Sequence, residues 1–167
     1  RRFHQLNNGS YNMRMIRTTL LYIIKDGKIL LAEKKRGFGA GKLNGVGGKI
    51  EPGESEVQGM LRECREEIGV TPINLEQRAV LHFDLFYKGE KEKEDTYVFV
   101  ASDYSGELVE SEEMKPSWYD INKLPFERMF SDDELWLNSL IEGKKFEANV
   151  VMDENFNTTS FDIDYKN

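Results

Sequence analysis

Eight of the 14 glycines fall between Gly37 and Gly59, ahead of and into a helix that carries carboxylates along one face. No other feature constrains the chain as strongly. Glycine lets backbone approach other backbone, or a ligand, more closely than a side chain would permit. The helix has clear ends: Ser55 with Gln58 matches a capping box, and Gly69 is placed to stop it after Ile68. At about 100° per residue, Val57, Met60, Leu61, Cys64 and Ile68 share one stripe and are expected to face the core. Glu56, Glu63, Glu66 and Glu67 occupy the neighbouring arc, with Gly59 in its middle. Glycine inside a helix costs about 0.5–1 kcal/mol relative to alanine, so a close approach of loop or ligand is expected at Gly59.

Carboxylates three and four residues apart repel, by roughly 0.2–0.5 kcal/mol per pair. They are either a solvated acidic face relieved by Arg62 and Arg65, or a platform of hard oxygen ligands for Mg²⁺. The preceding loop bears on that choice. Gly45-Val46-Gly47-Gly48-Lys49 and Pro52-Gly53 allow backbone to approach phosphate oxygens, and Lys49 adds a cation. The loop is not a Walker A motif: Arg36 precedes Gly37–Lys42 where glycine is required, and Leu43 follows where Ser or Thr is required. The dinucleotide G-x-G-x-x-G fingerprint is missing as well.

The rest of the chain supplies a frame for that segment. Thr18–Ile24 and Lys28–Glu33 read as a hairpin turning at Asp26-Gly27, residues 78–87 and 95–101 as strands split by a solvated charged loop, Lys88–Glu94. Trp118–Asp120 is a candidate short strand, Asp132–Glu142 a second helix opened by Ser131, and Phe146–Met152 with Thr158–Tyr165 a closing hairpin. Strands outnumber helices, so an α+β domain with helices on a mixed sheet is expected. A chain of 167 residues fits one domain, taken as 15–167, with 1–14 as a flexible tail or appended remnant. The longest apolar runs, Leu20–Ile24 and Ile29–Ala32, are strand-sized, and the first dozen residues lack the apolar region of a secretory signal. The lone Cys64 forms no intrachain disulfide and fits a reducing, cytoplasmic compartment. Lys and Arg number 23 against 30 Asp and Glu, a net −7. That balance argues against nucleic-acid or anionic-membrane partners, and a polyanionic substrate would need a basic loop or bound metal.

Gly48, Glu54, and Arg62-Glu63-Cys64-Arg65-Glu66-Glu67-Ile68-Gly69-Val70 together resemble the Nudix box, with Cys64 where an aliphatic residue is usual. The resemblance implies the Nudix fold, an α/β/α sandwich around a mixed β-sheet. It also implies hydrolysis of a nucleoside diphosphate linked to another group, dependent on Mg²⁺ with Mn²⁺ as a substitute. By the same likeness Glu63, Glu66 and Glu67 are catalytic and bind the metal, with the Gly47 carbonyl and Glu113 completing the site.

Outside the box, Lys34–Gly45 and Glu110–Pro116 are similar to the branch of the family that hydrolyses oxidised purine nucleoside triphosphates such as 8-oxo-dGTP. That likeness continues through Leu124–Phe126 and Met129–Asp133. It implies a small-molecule nucleotide partner, a monomer, and release of nucleoside monophosphate and pyrophosphate. The substrate-binding residues it implies are Thr19, Lys34, Phe38, Asn44, Val46, Gly47, Gly48, Lys49, Met114, Phe130, Asp132 and Asp133, the last two at the purine edge. Leu43 and Phe130 stand where that branch carries tryptophan; a phenylalanine still stacks on a base, a leucine does not.

Several of these residues also have plain structural readings. Lys34-Lys35-Arg36 fits a solvated strand end, Asn44-Gly45 a turn pair, and Ser131 to Glu134 a capping box. His4 and His82 lack metal-ligand spacing and receive no role. The competing functions are a Nudix pyrophosphatase for an ADP-sugar or dinucleoside polyphosphate, and a non-catalytic Nudix-fold regulator.

Overall fold

The alternation of apolar residues along Thr18–Ile24 sends successive side chains to opposite faces of a sheet, and both faces are covered. In the computed structural model, which describes residues 14–37, 39–87 and 89–167, Leu20 and Tyr22 enter one core and Leu21 and Ile23 another. The strand is β1, Arg14–Lys25, and β2 follows at Lys28–Lys34. Asp26 and Gly27 join them with φ of 54° and 74°, the paired positive values of a type I′ turn that the Asp-Gly pair foretells. Arg14 thus already belongs to β1, while residues 1–13 of the expected tail, and His4 with them, lie outside the described residues.

The remaining elements are β3 (Leu43–Asn44), α1 (Glu56–Ile68), β4 (Thr71–Tyr87), β5 (Glu90–Ser105), β6 (Met114–Asp120), α2 (Asp133–Ile141), β7 (Lys145–Met152) and β8 (Thr158–Lys166). The sheet runs β3-β2-β1-β5-β4-β7-β8, with β6 pairing β2 off that path. It is mixed: β1 with β5 and β4 with β7 are parallel, and the other pairs antiparallel. Helix α2 covers one face through Trp136, Leu137 and Leu140, packed on Leu81, Phe83, Val98 and Val150. Helix α1 covers the other through Met60, Cys64 and Ile68, packed on Leu21, Ile23 and Phe99. The expected α+β arrangement, an α/β/α sandwich, is the one observed.

The charged segment expected as a solvated loop is mostly strand. β4 continues to Tyr87 and β5 resumes at Glu90, and along β5 Lys91 and Lys93 are exposed while Glu92 and Glu94 are buried. Charge suggested a loop, but the alternation is that of a strand with lysines outward, and cross-strand pairing decides it. β6 likewise begins at Met114 rather than Trp118, because it pairs with all of β2 from Lys28↔Asp120 to Lys34↔Met114.

Ser131 does not cap α2. Its hydroxyl donates to the Phe156 carbonyl at 2.8 Å and accepts from the Thr158 amide at 3.0 Å, tying the start of the helix to the β7–β8 hairpin. Asp132 is the residue at the cap position, and it makes no capping bond. At the other end Arg78, beside a bulge in β4, donates to the Leu140 carbonyl at 2.8 Å and supplies a partner for the closing turn.

His82, whose spacing suggests no metal site, bridges three strands. Its Nδ1 lies 2.7 Å from Asp95 on β5 and its Nε2 2.9 Å from Glu147 on β7, and Lys166 on β8 reaches Glu147 at 3.1 Å. Partial burial lowers the imidazole pKa, but hydrogen bonds to Glu147 and Asp95 outweigh it, and the net shift is upward. A pKa raised by folding adds stability that is whole below the unfolded value, about 6.5, and lost as pH rises through the folded value. We therefore expect the thermal midpoint of the native chain to exceed that of His82→Gln most at acidic pH. Above neutrality the gap should narrow, and a gap constant across scans on both sides of pH 6.5 would remove the imidazolium from the account.

Candidate active site

Helix α1 starts and stops where its sequence specifies. Ser55 accepts from the Gln58 amide at 3.1 Å and the Gln58 side chain accepts from the Ser55 amide at 2.8 Å, while Gly69 closes the helix at φ 79°. The face it buries is rotated from the expected one. Met60, Cys64 and Ile68 are buried, but Val57 is 42% exposed and Leu61 only half-buried, whereas Gly59, Glu63 and Glu67 are buried. The reason is the glycine loop, which lies against the carboxylate arc. A Cβ on Gly59 would meet Ile50 at 3.3 Å, and one on Gly48 would meet the Glu63 carboxyl carbon at 2.5 Å.

The loop is held against β1 by backbone bonds. The Thr19 amide donates to the Gly48 carbonyl at 2.9 Å, and Leu21 and Val46 exchange bonds at 2.6 and 2.9 Å. A Cβ on Gly47 would stand 1.9 Å from the Thr19 carbonyl oxygen, so space and not backbone angle demands glycine here. The Thr19 hydroxyl, fully buried, has no hydrogen-bond partner among the described residues.

Arg62 gathers the carboxylates of the box. It donates to Glu54 at 2.7 and 2.9 Å, to Glu63 at 3.2 Å, to Glu66 at 3.3 Å and to the Lys49 carbonyl at 3.0 Å. Its hydrogen bond holds the Glu54 carboxyl below the usual range, and the guanidinium pKa is raised in turn. Glu66 is exposed and Lys49 projects to the surface. Among the described residues no three His, Cys, Asp or Glu side chains form a ready metal-ligating group. The donors nevertheless suit a hard divalent cation: oxygen only, on one helix arc, with Glu63 seated over a glycine that leaves it room. Cys64 is an unreactive core residue, its thiol pushed up to about 12 by burial and the nearby Glu67.

On the α2 side a second group of nominated residues meets. Asn44 is buried, accepting from the Gly45 amide at 2.9 Å and from the Tyr22 hydroxyl at 3.4 Å. Tyr22 packs edge-on against Trp136, with ring centroids 6.2 Å apart, and the Trp136 indole donates to Asp132 at 2.7 Å. Asn44 and Asp132, 88 residues apart in the chain, are thus joined through two aromatic side chains. Asp132 and Asp133 are both fully buried. Phe130 is half-buried, and a Cβ on Gly39 would touch its ring at 3.4 Å, so the glycine loop folds over it. Leu43, in the α2-side core, is a packing residue.

The nominated residues therefore divide between the two faces of the sheet. Asn44, Phe130, Asp132 and Asp133 lie on the α2 side, while Val46 and Met114 join Glu63 and Glu67 on the α1 side, Met114 paired in register with Lys34. The strand β1 and the loop beside it separate the groups. Phe38 lies outside the described residues. Lys35 and Arg36 face the segment ahead of β6: Lys35 meets Glu110 at 2.5 Å, and Arg36 lies 3.3 Å from Glu112 and 3.9 Å from Glu113. No helix among the described residues is long and apolar enough to cross a membrane.

Known proteins share both sequence and fold with this chain. The Nudix domain profile matches residues 13–140. Over 128 residues the chain is 44% identical to the oxidized purine nucleoside triphosphate hydrolase of Danio rerio, covering 77% of this chain and 81% of that protein. It is 39% identical to the Mus musculus protein of the same name, with the same coverage. The fold matches the crystal structure of a Mutator MutT protein from Bacillus halodurans with a TM-score of 0.77 at 24% identity, covering 89% of this chain and 97% of that one. With a matching profile across most of its length and a box helix that buries Glu63 and Glu67 beside a glycine loop, the chain belongs to the Nudix hydrolase family.

Proposed function

We propose that the chain hydrolyses oxidised purine nucleoside triphosphates, such as 8-oxo-dGTP, to the monophosphate and pyrophosphate, in the manner that keeps a nucleotide pool free of damaged bases. Nudix hydrolases generally need a divalent metal ion, and Mg²⁺ is the ion proposed here, with Mn²⁺ as a substitute. One observation carries the reading: α1 buries Glu63 and Glu67 beside its apolar stripe while Val57 of that stripe is exposed, so part of the inward face is given to carboxylates. Charged residues are rarely buried without a task or a partner. The names of the Danio rerio and Mus musculus relatives support the choice of substrate.

The divalent ion would neutralise charge on the triphosphate and acidify the attacking water. Glu63, Glu66 and Glu67, with the Gly47 carbonyl and Glu113, would hold it. A carboxylate of this group accepts the proton as water attacks phosphorus and pyrophosphate leaves. Gly47, Gly48 and Lys49 would face the phosphates, with Lys34 beside them. The buried Thr19 hydroxyl lacks a partner among the described residues and suits a hydrogen bond to the substrate. Asn44, Phe130, Asp132 and Asp133 would hold the base, Phe130 by stacking, and Val46, Phe38 and Met114 would line the approach. We further propose a monomer acting in the cytoplasm.

Asp132 and Asp133 are both fully buried on the same side of the sheet as Asn44 and Phe130, so their carboxyl oxygens are placed to meet polar groups on the altered purine edge. Asparagine keeps the size and replaces one carboxyl oxygen with an amide donor. Measuring kcat/KM for 8-oxo-dGTP and dGTP, with and without Mg²⁺, in the native chain and in Asp132→Asn and Asp133→Asn tests the reading. The native chain should prefer 8-oxo-dGTP and release pyrophosphate only with metal. The preference should shift by about 1–3 kcal/mol in at least one variant, the scale of an unpaired buried polar group. An unchanged ratio in both variants would take the carboxyl pair out of base recognition.

A further inference from the structure

Lys35 and Arg36 sit beside a glycine loop in an acidic protein, where a direct role toward phosphate is the natural expectation. Their side chains are turned elsewhere. The Lys35 ammonium lies 2.5 Å from Glu110 and 3.0 Å from the Ser111 carbonyl, and the Lys35 amide donates to the Glu113 carbonyl at 2.8 Å. One residue thus grips the acidic segment at three successive points. The segment is closed on itself as well: Ser111 donates its amide to the Met114 carbonyl at 2.9 Å, and its hydroxyl accepts from the Met114 amide at 3.1 Å. The result is a tight, preformed turn with Glu112 and Glu113 at its tip, fixed by Lys35 to the end of β2.

That grip opposes a repulsion. Glu110, Glu112 and Glu113 crowd three carboxylates into one short turn of a chain with net charge −7. Like charges in that arrangement drive the turn outward unless a cation intervenes. Arg36 helps little, because its partners Glu112 and Glu113 are 86% and 47% exposed and its own side chain 62% exposed. Lys35 has the closer contacts and the less exposed side chain, at 33%; Glu110 is 50% exposed, so the grip rests on the two backbone carbonyls Lys35 also reaches.

We propose that Lys35 is a positioning residue that latches the Glu110–Glu113 turn to the glycine-loop strand and so presents Glu113 to the cation site. The inference rests on the metal-dependent reading above for its consequence, but the latch itself is a property of the chain without metal or nucleotide.

Two measurements test it. Amide hydrogen exchange on the metal-free protein reads the latch alone. In Lys35→Met, the Ser111 and Met114 amides should exchange about tenfold faster, the effect of opening a locally held turn, while α1 amides keep their native protection. Unchanged exchange at those amides would overturn the proposal. Electron paramagnetic resonance titration with Mn²⁺, without nucleotide, reads the consequence. Affinity should fall about tenfold in Lys35→Met, as when an outer partner of a ligand is lost. It should return in Lys35→Arg and in the exchanged pair Lys35→Glu with Glu110→Lys. A lysine that instead touched phosphate would leave Mn²⁺ affinity native in Lys35→Met, and the exchanged pair would not recover substrate KM; either outcome overturns the latch. If the native chain binds no Mn²⁺, the metal reading fails while the exchange experiment still decides the latch.

Discussion

Replacing Glu67 with Gln is expected to lower turnover of 8-oxo-dGTP by about 100-fold or more, comparable to removing a transition-state charge stabiliser. Glutamine has nearly the helix propensity of glutamate and the same shape, so the exchange removes an anionic oxygen and little else. Glu67 is 3% exposed, one turn along the helix from Glu63, which lies against a loop that cannot retreat because Gly47 is pressed on Thr19. The fold should survive, because burying a neutral amide is less costly than burying a charge. Far-ultraviolet circular dichroism and the urea midpoint should match the native chain while turnover collapses, and the deficit should deepen as Mg²⁺ becomes limiting. Near-native turnover of Glu67→Gln at limiting Mg²⁺ would sink the carboxylate platform, and leave the buried glutamates as structural residues.

The second large effect is on stability. In Gly47→Ala the new methyl would lie 1.9 Å from the Thr19 carbonyl oxygen and 2.6 Å from its carbonyl carbon. Those atoms are backbone in a central strand and cannot step aside as a side chain would. Relief must come from parting the loop and β1, which breaks the Thr19-to-Gly48 bond and the exchanged Leu21 and Val46 bonds. Overpacking alone costs about 1–3 kcal/mol, and lost backbone bonds add to it, so a loss of roughly 3 kcal/mol is expected in urea unfolding. Activity should fall more than in the less crowded Gly59→Ala, since the loop also seats Glu63 at Gly48. A Gly47→Ala protein within about 0.5 kcal/mol of native, the range of an ordinary surface substitution, would show that the loop is not docked on β1 as described.

Much of the fold is legible where local chemistry and the hydrophobic period agree. The Asp26-Gly27 turn, the Ser55–Gln58 box and the Gly69 stop are set by a few residues whose side chains or backbone angles admit one arrangement, and each is present. Apolar alternation in β1 and β2 likewise announces a strand covered on both sides. Reading fails where charge stands in for solvation. Glu92 and Glu94 look like loop residues by composition, yet they point inward on a strand whose lysines point outward. Ser131 and Glu134 look like a cap, yet the serine is claimed by Phe156 and Thr158 on a hairpin that lies 25 and 27 residues away. His82 carries no local signal at all, because its partners sit on two other strands.

The box itself divides in the same way. From sequence alone, the spacing of glycines and glutamates marks a loop and a helix arc, and resemblance gives them a chemistry. Which arc is buried is a tertiary outcome. A helical wheel ranks faces by apolarity, and by that rule Val57 and Leu61 belong inside. The docked loop shifts the choice, keeping Met60, Cys64 and Ile68 inside and adding Glu63 and Glu67, with Gly48 and Gly59 leaving room on the carboxylate side. The joining of Asn44 to Asp132 through Tyr22 and Trp136 is of the same kind, made by packing α2 across a sheet that the chain must first complete. The sequence by itself determined the ends of α1 and the tight turn of the first hairpin, because each depends on residues within one turn of one another. Tertiary structure alone decided which groups are buried and which distant side chains meet, because burial and long-range contact exist only once strands far apart in the chain share a sheet.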